Sequence, residues 1–421
     1  MIGAIADDFT GGTDVAVAFR RAGLRTAIVF GVPDTTTVVP ADADAVVVAL
    51  KSRTTPVEEA VRESLRTGEW LLERGADQLY FKYCSTFDSR AEGNIGQVSD
   101  ALAGLTSAQV VAVVPSSPEH GRTQYQGHLF VHDSLLSESP MRHHPLTPMT
   151  NSRIVEVLAA QTTEQVALVH HDRVRAGASA VVRDLATLEE SGIRYAVIDA
   201  VSDEDLSEIG VAVAGARLVT GAAGLAGGLG RARAAQNHAH EVSDADPIGE
   251  VRTAVLAGSC SARTLQQLDR YREQQPGHFI DALAEQQPVA LAAAALTFYD
   301  TLPVGAAPVL YSSVPPEILQ RVQAELGVNR ASAILEEATG LIARGLIERG
   351  VRRLVVAGGE TSGAVVTALE VRTGVIGREV APGVPWIYTQ GTDAIAVLLK
   401  SGNFGSSDFL LEAVQTGRVS R

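Results

Sequence analysis

Met1-Ile2-Gly3-Ala4-Ile5-Ala6 runs without a polar side chain into Asp7-Asp8-Phe9-Thr10-Gly11-Gly12-Thr13-Asp14. A short apolar run bounded by turn residues reads as a buried strand. Gly11 and Gly12 permit a tight turn, and Thr13 suits the N-cap of a following helix. Open α/β sheets bind their ligands at the C-terminal ends of such strands. Two adjacent acids there would repel an anion, but they suit a catalyst that takes a proton from a hydroxyl. The competing reading is a solvated turn in which Asp7 or Asp8 only caps.

Outward from this stretch, apolar runs alternate with amphipathic ones. Ala27-Ile28-Val29-Phe30, Ala45-Val46-Val47-Val48-Ala49, Gln78-Leu79-Tyr80-Phe81 and Val110-Val111-Ala112-Val113-Val114 read as buried parallel strands. Val166-Ala167-Leu168-Val169 and Tyr195-Ala196-Val197-Ile198 follow. Residues 57–72 have helical spacing, with Val57, Val61, Leu65 and Leu72 on one face. The polar, aperiodic stretch over 236–247 predicts a linker. Beyond it the alternation resumes: a strand at Thr253-Ala254-Val255-Leu256, a helix over 315–349, a strand at Leu354-Val355-Val356-Ala357 and a helix after Gly363. The pattern predicts two α/β domains with largely parallel sheets, roughly 1–240 and 250–421, with the ligand cleft between them.

Composition narrows the function. A chain of 421 residues exceeds one ordinary core. With 46% apolar and 20% charged residues it is globular. No stretch reaches the roughly 18 unbroken apolar residues of a membrane span. Met1 leads at once into a strand, without the basic flank of a signal peptide. Cys84 and Cys260 form no C-x-x-C pair, so neither a disulfide framework nor a zinc site is expected and a cytoplasmic location is. The balance of 35 basic against 49 acidic residues, −14, argues against nucleic acid or an anionic membrane as the main partner. The remaining expectation is a small-molecule substrate, with a homodimer allowed.

Of the 35 basic residues only Lys51, Lys82 and Lys400 are lysine. Each ends an apolar run and precedes a small polar loop, which suggests places where a compact ammonium matters. Leu50-Lys51-Ser52-Arg53 and Lys82-Tyr83-Cys84-Ser85-Thr86-Phe87-Asp88-Ser89-Arg90 offer cations and hydroxyls of the kind a small polyhydroxy acid requires. Arg122 and His128 in Gly121-Arg122-Thr123-Gln124-Tyr125-Gln126-Gly127-His128 add to them, although a loop imidazole satisfied by backbone is an equal reading of His128. In the second half, Gly258-Ser259-Cys260-Ser261, Gly358-Gly359-Glu360-Thr361-Ser362-Gly363 and Ser401-Gly402-Asn403-Phe404-Gly405 are three small-residue loops after apolar strands. The second reads as a glycine turn followed by a Thr/Ser cap. Helix starts of this kind present free N–H groups to phosphate oxygens. No G-x-x-x-x-G-K-[ST] occurs, and the glycine-rich run 221–228 lacks the dinucleotide spacing; close packing is its expected role.

Ala6-Asp7-Asp8-Phe9-Thr10-Gly11-Gly12-Thr13-Asp14 and the Gly358-Gly359-Glu360-Thr361-Ser362-Gly363 turn, with the overall length, resemble the four-carbon acid sugar kinases. That resemblance implies an N-terminal sugar-acid-binding domain, a C-terminal nucleotide-binding domain, ATP, and transfer to O4 of a tetronate or 3-oxo-tetronate. Lys82-Tyr83-Cys84-Ser85-Thr86-Phe87-Asp88-Ser89 with Glu92-Gly93-Asn94-Ile95-Gly96 looks like the 3-oxo-tetronate branch. Arg90 stands where that branch suggests Thr, and Gly12 where it suggests Ala. By motif, ATP would contact Ser259 and Ser261, the turn Gly358, Gly359, Glu360 and Thr361, and Gly402 or Gly405. Asp8, then Asp7, would serve the acceptor hydroxyl. Lys82 would hold the substrate carboxylate or the moving phosphoryl group, and Lys51, Arg53, Ser85, Asp88, Arg90, Arg122 and His128 the acid sugar. Mg²⁺ would bridge the phosphates, with Glu360 as its carboxylate. The rivals are a D-threonate or D-erythronate 4-kinase, a non-catalytic sugar-acid sensor and, from the run at Gly221, a nicotinamide-dependent dehydrogenase.

Overall fold

The computed structural model describes residues 1–89, 91–143, 147–237 and 246–415. Most of the predicted linker, Arg90 and His144 to Leu146 lie outside them. The chain divides into two compact units, Met1–Val242 and Ser243–Arg421.

The first unit contains β1 (Ile2–Ala6), β2 (Thr26–Phe30), β3 (Ala45–Ala49), β4 (Gln78–Lys82), β5 (Val111–Val114), β6 (Arg122–Tyr125), β7 (His128–Val131), β8 (Ser134–Leu135), β9 (Val166–Val169), β10 (Tyr195–Ile198) and β11 (Leu218–Gly221). Eight of these form a parallel sheet in the order β2-β3-β1-β4-β11-β5-β10-β9. Helices on both faces bury its central strands completely, which is why they read as unbroken apolar runs. The short strands β6, β7 and β8 make a separate antiparallel meander. Ala6 stands opposite Ala49 on one side and Lys82 on the other. The loops after β1, β3 and β4 therefore leave the sheet side by side, and that register assembles the site.

Two local expectations change. The first helix begins at Phe9, with Asp8 rather than Thr13 as its N-cap. Gly11 and Gly12 lie inside its first turns because neighbours press against them: a Cβ on Gly12 would sit 2.5 Å from Ala49 Cβ. The helix Val57–Glu73 forms as predicted, but it buries Ala60, Ser64, Thr67, Gly68, Trp70 and Leu71, leaving Val57, Val61, Leu65 and Leu72 half-buried. Small residues face inward there because the helix lies close to Leu102 and Leu105 of the next one, Ile95–Thr106.

The second unit contains β12 (Arg252–Ala257), β13 (Gly277–Phe279), β14 (Val309–Tyr311), β15 (Val351–Ala357), β16 (Thr373–Ala381), β17 (Val384–Tyr388) and β18 (Ala396–Lys400). Their order is β13-β14-β12-β15-β18-β17-β16, parallel as far as β18 and antiparallel from there. Ala357 lies opposite both Ala257 and Lys400, so three more loops emerge together. Arg353, 1% exposed, pairs with Asp246 and stacks 5.1 Å from the Trp386 ring centroid. The helix predicted over 315–349 is two helices, Pro316–Leu326 and Val328–Glu348. They break at Gly327, whose φ of 79° only glycine adopts without strain. Among the described residues no helix is long and apolar enough to cross a membrane.

The glycine-rich run packs as expected. A Cβ on Gly228 would lie 2.0 Å from the carbonyl oxygen of Leu206 in the neighbouring helix, whereas one on Gly104 meets nothing within 4 Å. Alanine gains about 1 kcal/mol of helix propensity over glycine. Overpacking costs roughly 1–3 kcal/mol. Gly104→Ala should therefore raise Tm, and Gly228→Ala should lower it; thermal melts of the two variants side by side test this.

Candidate active site

Asp7 sits where three strands of the first unit end. Its N–H donates to Lys82 O at 3.0 Å, and its carbonyl accepts from Ser52 N–H at 2.9 Å and Arg53 N–H at 3.1 Å. Its carboxylate, 3% exposed, takes a two-pronged bond from Arg53, Nε to Oδ2 at 2.8 Å and Nη2 to Oδ1 at 2.7 Å. Burial alone would pull the Arg53 guanidinium down, but Asp7 and then Asp8 override it and hold it above its ordinary value. Breaking a buried pair of this kind from one side costs roughly 3–5 kcal/mol, because the remaining charge is stranded.

Asp8 Oδ1 accepts the Gly11 N–H at 2.8 Å and lies 2.9 Å from Arg53 Nη2. Lys82, 4% exposed, donates from Nζ to its neighbour's carbonyl, Tyr83 O, at 2.6 Å. A Cβ on Gly11 would meet Lys82 Nζ at 2.9 Å and Asp8 Oδ1 at 2.3 Å, so the glycine is what lets the ammonium approach the helix. One turn further on the same face is Asp14, which the sequence reading did not single out. Among the described residues its carboxylate accepts no hydrogen bond. Burial pushes its carboxyl up to about 7, opposed by Lys82 and Arg53 and helped by Asp8 and Glu119. The signal was available: Asp8, Gly11 and Asp14 are spaced three apart, and residues at i and i+3 share a helix face.

The other predicted contacts divide. Lys51 is exposed, with Nζ 4.9 Å from the Phe9 ring centroid. Ser85 is half-buried in the loop after β4, and Asp88 Oδ1 accepts from Thr86 Oγ1 at 2.5 Å. Cys84 is in the same loop. Burial, with Asp88 adding, pushes its thiol up to about 11, so it is no thiolate nucleophile at neutral pH. Arg122 turns back on the carbonyl of His120, whose Nδ1 lies 3.0 Å from Ser117 Oγ. Burial holds the His120 imidazole below its ordinary value, with Arg122, Arg21 and Lys82 adding to the effect. His128 makes a local contact instead, Nδ1 to Gln126 O at 3.0 Å. Its hairpin is fastened by buried Asp199, which accepts from the Gln126 and Gly127 N–H groups at 2.8 and 2.9 Å. Arg90 lies outside the described residues.

In the second unit two of the small-residue loops line a cavity of about 650 Å³, with Gly258, Ser259, Gly358, Gly359, Glu360 and Thr361. Ile280, Leu283, Val314, Ile318, Leu319 and Leu335 add apolar lining, beside charged Asp281 and Arg321. The helix Gly359–Ala368 is capped by Gly358 itself, with no side-chain cap, instead of by Thr361 or Ser362; a φ of 134° at Gly358 makes that turn. Its first N–H groups are left for a ligand. Ser261 caps the helix Ala262–Arg272, accepting the Thr264 N–H at 3.2 Å, and donates to Gly402 O at 2.7 Å. A Cβ on Gly402 would lie 2.6 Å from Ser259 Oγ. Gly405, φ 82°, turns the loop against Phe409. Among the described residues no cluster of three or more His, Cys, Asp or Glu side chains could hold a metal ion. Glu360 is an exposed carboxylate beside the glycine turn, which suits a cation held mainly by phosphates.

Known proteins match this arrangement closely. The profile of a sugar-binding N-terminal domain matches residues 2–229, and that of a nucleotide-binding C-terminal domain matches residues 254–410. The 3-oxo-tetronate kinase of Pseudomonas fluorescens is 47% identical, covering 98% of this chain and 96% of its own. That of Cupriavidus necator is 46% identical (99% and 96%), and that of Haemophilus influenzae 42% (97% and 98%). Solved structures from Salmonella typhimurium LT2 and Haemophilus influenzae superpose with TM-scores of 0.91 and 0.87, each at 40% identity and 98% coverage of both chains. The chain belongs to the four-carbon acid sugar kinase family, with a sugar-binding and a nucleotide-binding domain in one polypeptide.

Proposed function

We propose that the chain is an ATP-dependent kinase that phosphorylates the C4 hydroxyl of a 3-oxo-tetronate, giving the 4-phosphate and ADP. The observation that carries this reading is near full-length identity of 42–47% to 3-oxo-tetronate kinases. The strand-end carboxylates of the first unit and the glycine turns of the second support it. The fit to a phosphate is physical: unbonded N–H groups at Gly359 and beyond, and a loop so close to Ser259 that only glycine fits at 402. The apolar lining of the cavity suits a nucleobase. Mg²⁺, beside Glu360, would neutralise phosphate charge. The reaction belongs to a cytoplasmic metabolic enzyme.

On the acceptor side, Arg53 and Lys82 supply the cations for the substrate carboxylate and the developing phosphate charge. Ser85 and Asp88 lie in the loop that follows Lys82, and Arg122 would join them on the acid sugar. Phosphoryl transfer needs positioning and charge stabilisation more than covalent chemistry. Asp8, fixed by Gly11 and Arg53, orients the C4 hydroxyl. Asp14, on the same face and with a carboxylate free of hydrogen bonds among the described residues, receives the proton. A carboxyl near 7 is matched to that task.

Coupled ADP-release assays across a panel of four-carbon acids test the substrate. Turnover should be restricted to a 3-oxo-tetronate; preference for threonate or erythronate would reassign the acceptor. Asp14→Asn should lower kcat by roughly 10²–10⁴, and full turnover in a folded Asp8→Asn enzyme would refute the orienting role of Asp8.

Asp14 also has a consequence for stability. Between about pH 4 and pH 7 the unfolded chain has lost a proton that the folded chain keeps. Its contribution therefore falls as pH rises through that window and is fully unfavourable above it. Asp14→Asn should raise Tm by a few degrees at pH 8, leave it unchanged at pH 4, and remove the acid limb of kcat/KM near pH 7. Melts and pH–rate profiles of the pair check both.

A further inference from the structure

Lys400, the last residue of β18, is an ammonium with 1% of its surface exposed. Its Nζ donates to Gly402 O at 2.8 Å, Ser401 O at 3.1 Å and Thr264 Oγ1 at 3.1 Å. Gly402 O also receives the Ser261 hydroxyl at 2.7 Å and the Thr264 hydroxyl at 2.8 Å. Three donors thus hold one carbonyl oxygen. The peptide of Gly402 is turned inward, and the loop is pressed onto Ser259, which lines the cavity. On the adjacent strand, Gly358 N–H donates to Lys400 O at 2.8 Å, tying the same residue to the phosphate turn.

The donors are satisfied, but the charge is not. The ring of Phe409 lies 6.0 Å from Nζ, and the charged group that acts on Lys400 is another cation, Arg263. Among the described residues no carboxylate balances it. A buried cation without a counter-ion is costly. Its place beneath three phosphate-suited loops indicates that the counter-ion arrives with the ligand. We propose that Lys400 is a positioning residue for nucleotide phosphates: it fixes the Gly402 loop in its receiving form and, in mildly alkaline solution, takes up a fraction of a proton from solvent as the polyanion binds. The inference rests on the nucleotide reading of this cavity.

Burial, with Arg263 adding to it, draws the Lys400 ammonium down to about 8. At pH 8.5 most of it is neutral before the ligand arrives, and nearby negative charge restores the ammonium. Phosphate itself, with its second ionisation near about 6, contributes little at that pH. The test is calorimetric titration of ADP with Mg²⁺ into the full chain at pH 8.5, in two buffers of different ionisation enthalpy. The expected result is uptake of roughly 0.5–0.8 proton per ADP. Lys400→Met, never charged, and Lys400→Arg, always charged, should both lose the buffer dependence. Lys400→Met should also weaken ADP and raise the KM for ATP roughly tenfold, with the acceptor KM unchanged. Cys260→Ser, which removes the thiol on the same cavity, should keep the uptake. ADP binding with buffer-independent heat in the native chain would overturn the inference, as would uptake that survives in Lys400→Met. Absence of ADP binding would instead refute the nucleotide reading and remove the basis for the inference.

Discussion

Asp7 is the point on which the first unit's site depends. Its main chain joins the ends of β3, β1 and β4, and its carboxylate fixes the Arg53 guanidinium. A residue bonded on every side cannot also be a free base. This explains why two adjacent acids stand after one strand. Asp7 is consumed in holding Arg53 and the three loops, and Arg53 in turn reaches Asp8 at 2.9 Å. The pair defines where the remaining groups of the site stand, and charge close to a buried bidentate pair is held with little freedom. In the proposed reaction the neighbouring Lys82 and Asp14 are then the groups left for a cation and a mobile proton.

Much of this was legible in the sequence, and the rest was hidden for identifiable reasons. The strand ends were readable because parallel strands buried on both faces are unbroken apolar runs and their loops start abruptly with Asp, Lys or Gly. The scarcity of lysine pointed to Lys82 and Lys400, both of which are buried at strand ends, and also to Lys51, which is exposed. Pairing across the sheet was not readable. Arg53 meets Asp7 only because β3 and β1 are neighbours in register, and no local pattern encodes that. The sequence pattern puts two helix starts too late, at Thr13 and at Thr361, because glycine reads as a turn signal. In both loops glycine is inside the helix or caps it, since a neighbouring side chain occupies the space of a Cβ. The face of Val57–Glu73 was misjudged for the same reason: close helix packing selects small residues, which a hydrophobic pattern does not score.

The two buried lysines reveal a shared device. Lys82 donates to the carbonyl of the residue after it, Tyr83, at 2.6 Å; Lys400 donates to those of Ser401 and Gly402 at 3.1 and 2.8 Å. Each is the last residue of a parallel strand and stands beside the first residues of a neighbouring loop. A peptide group has its N–H and C=O on opposite sides. Drawing a carbonyl toward a buried ammonium therefore turns the N–H on the other side of that peptide outward. An arginine could not do this in the same space, because its planar fork binds carboxylates and needs more room, whereas a compact ammonium accepts carbonyls from several directions. On the proposed reading, loops that receive anionic groups thus acquire a positive charge beneath them and N–H donors above them from one residue. Such a requirement would keep lysine at these two positions in a chain with arginine at nearly every other basic one.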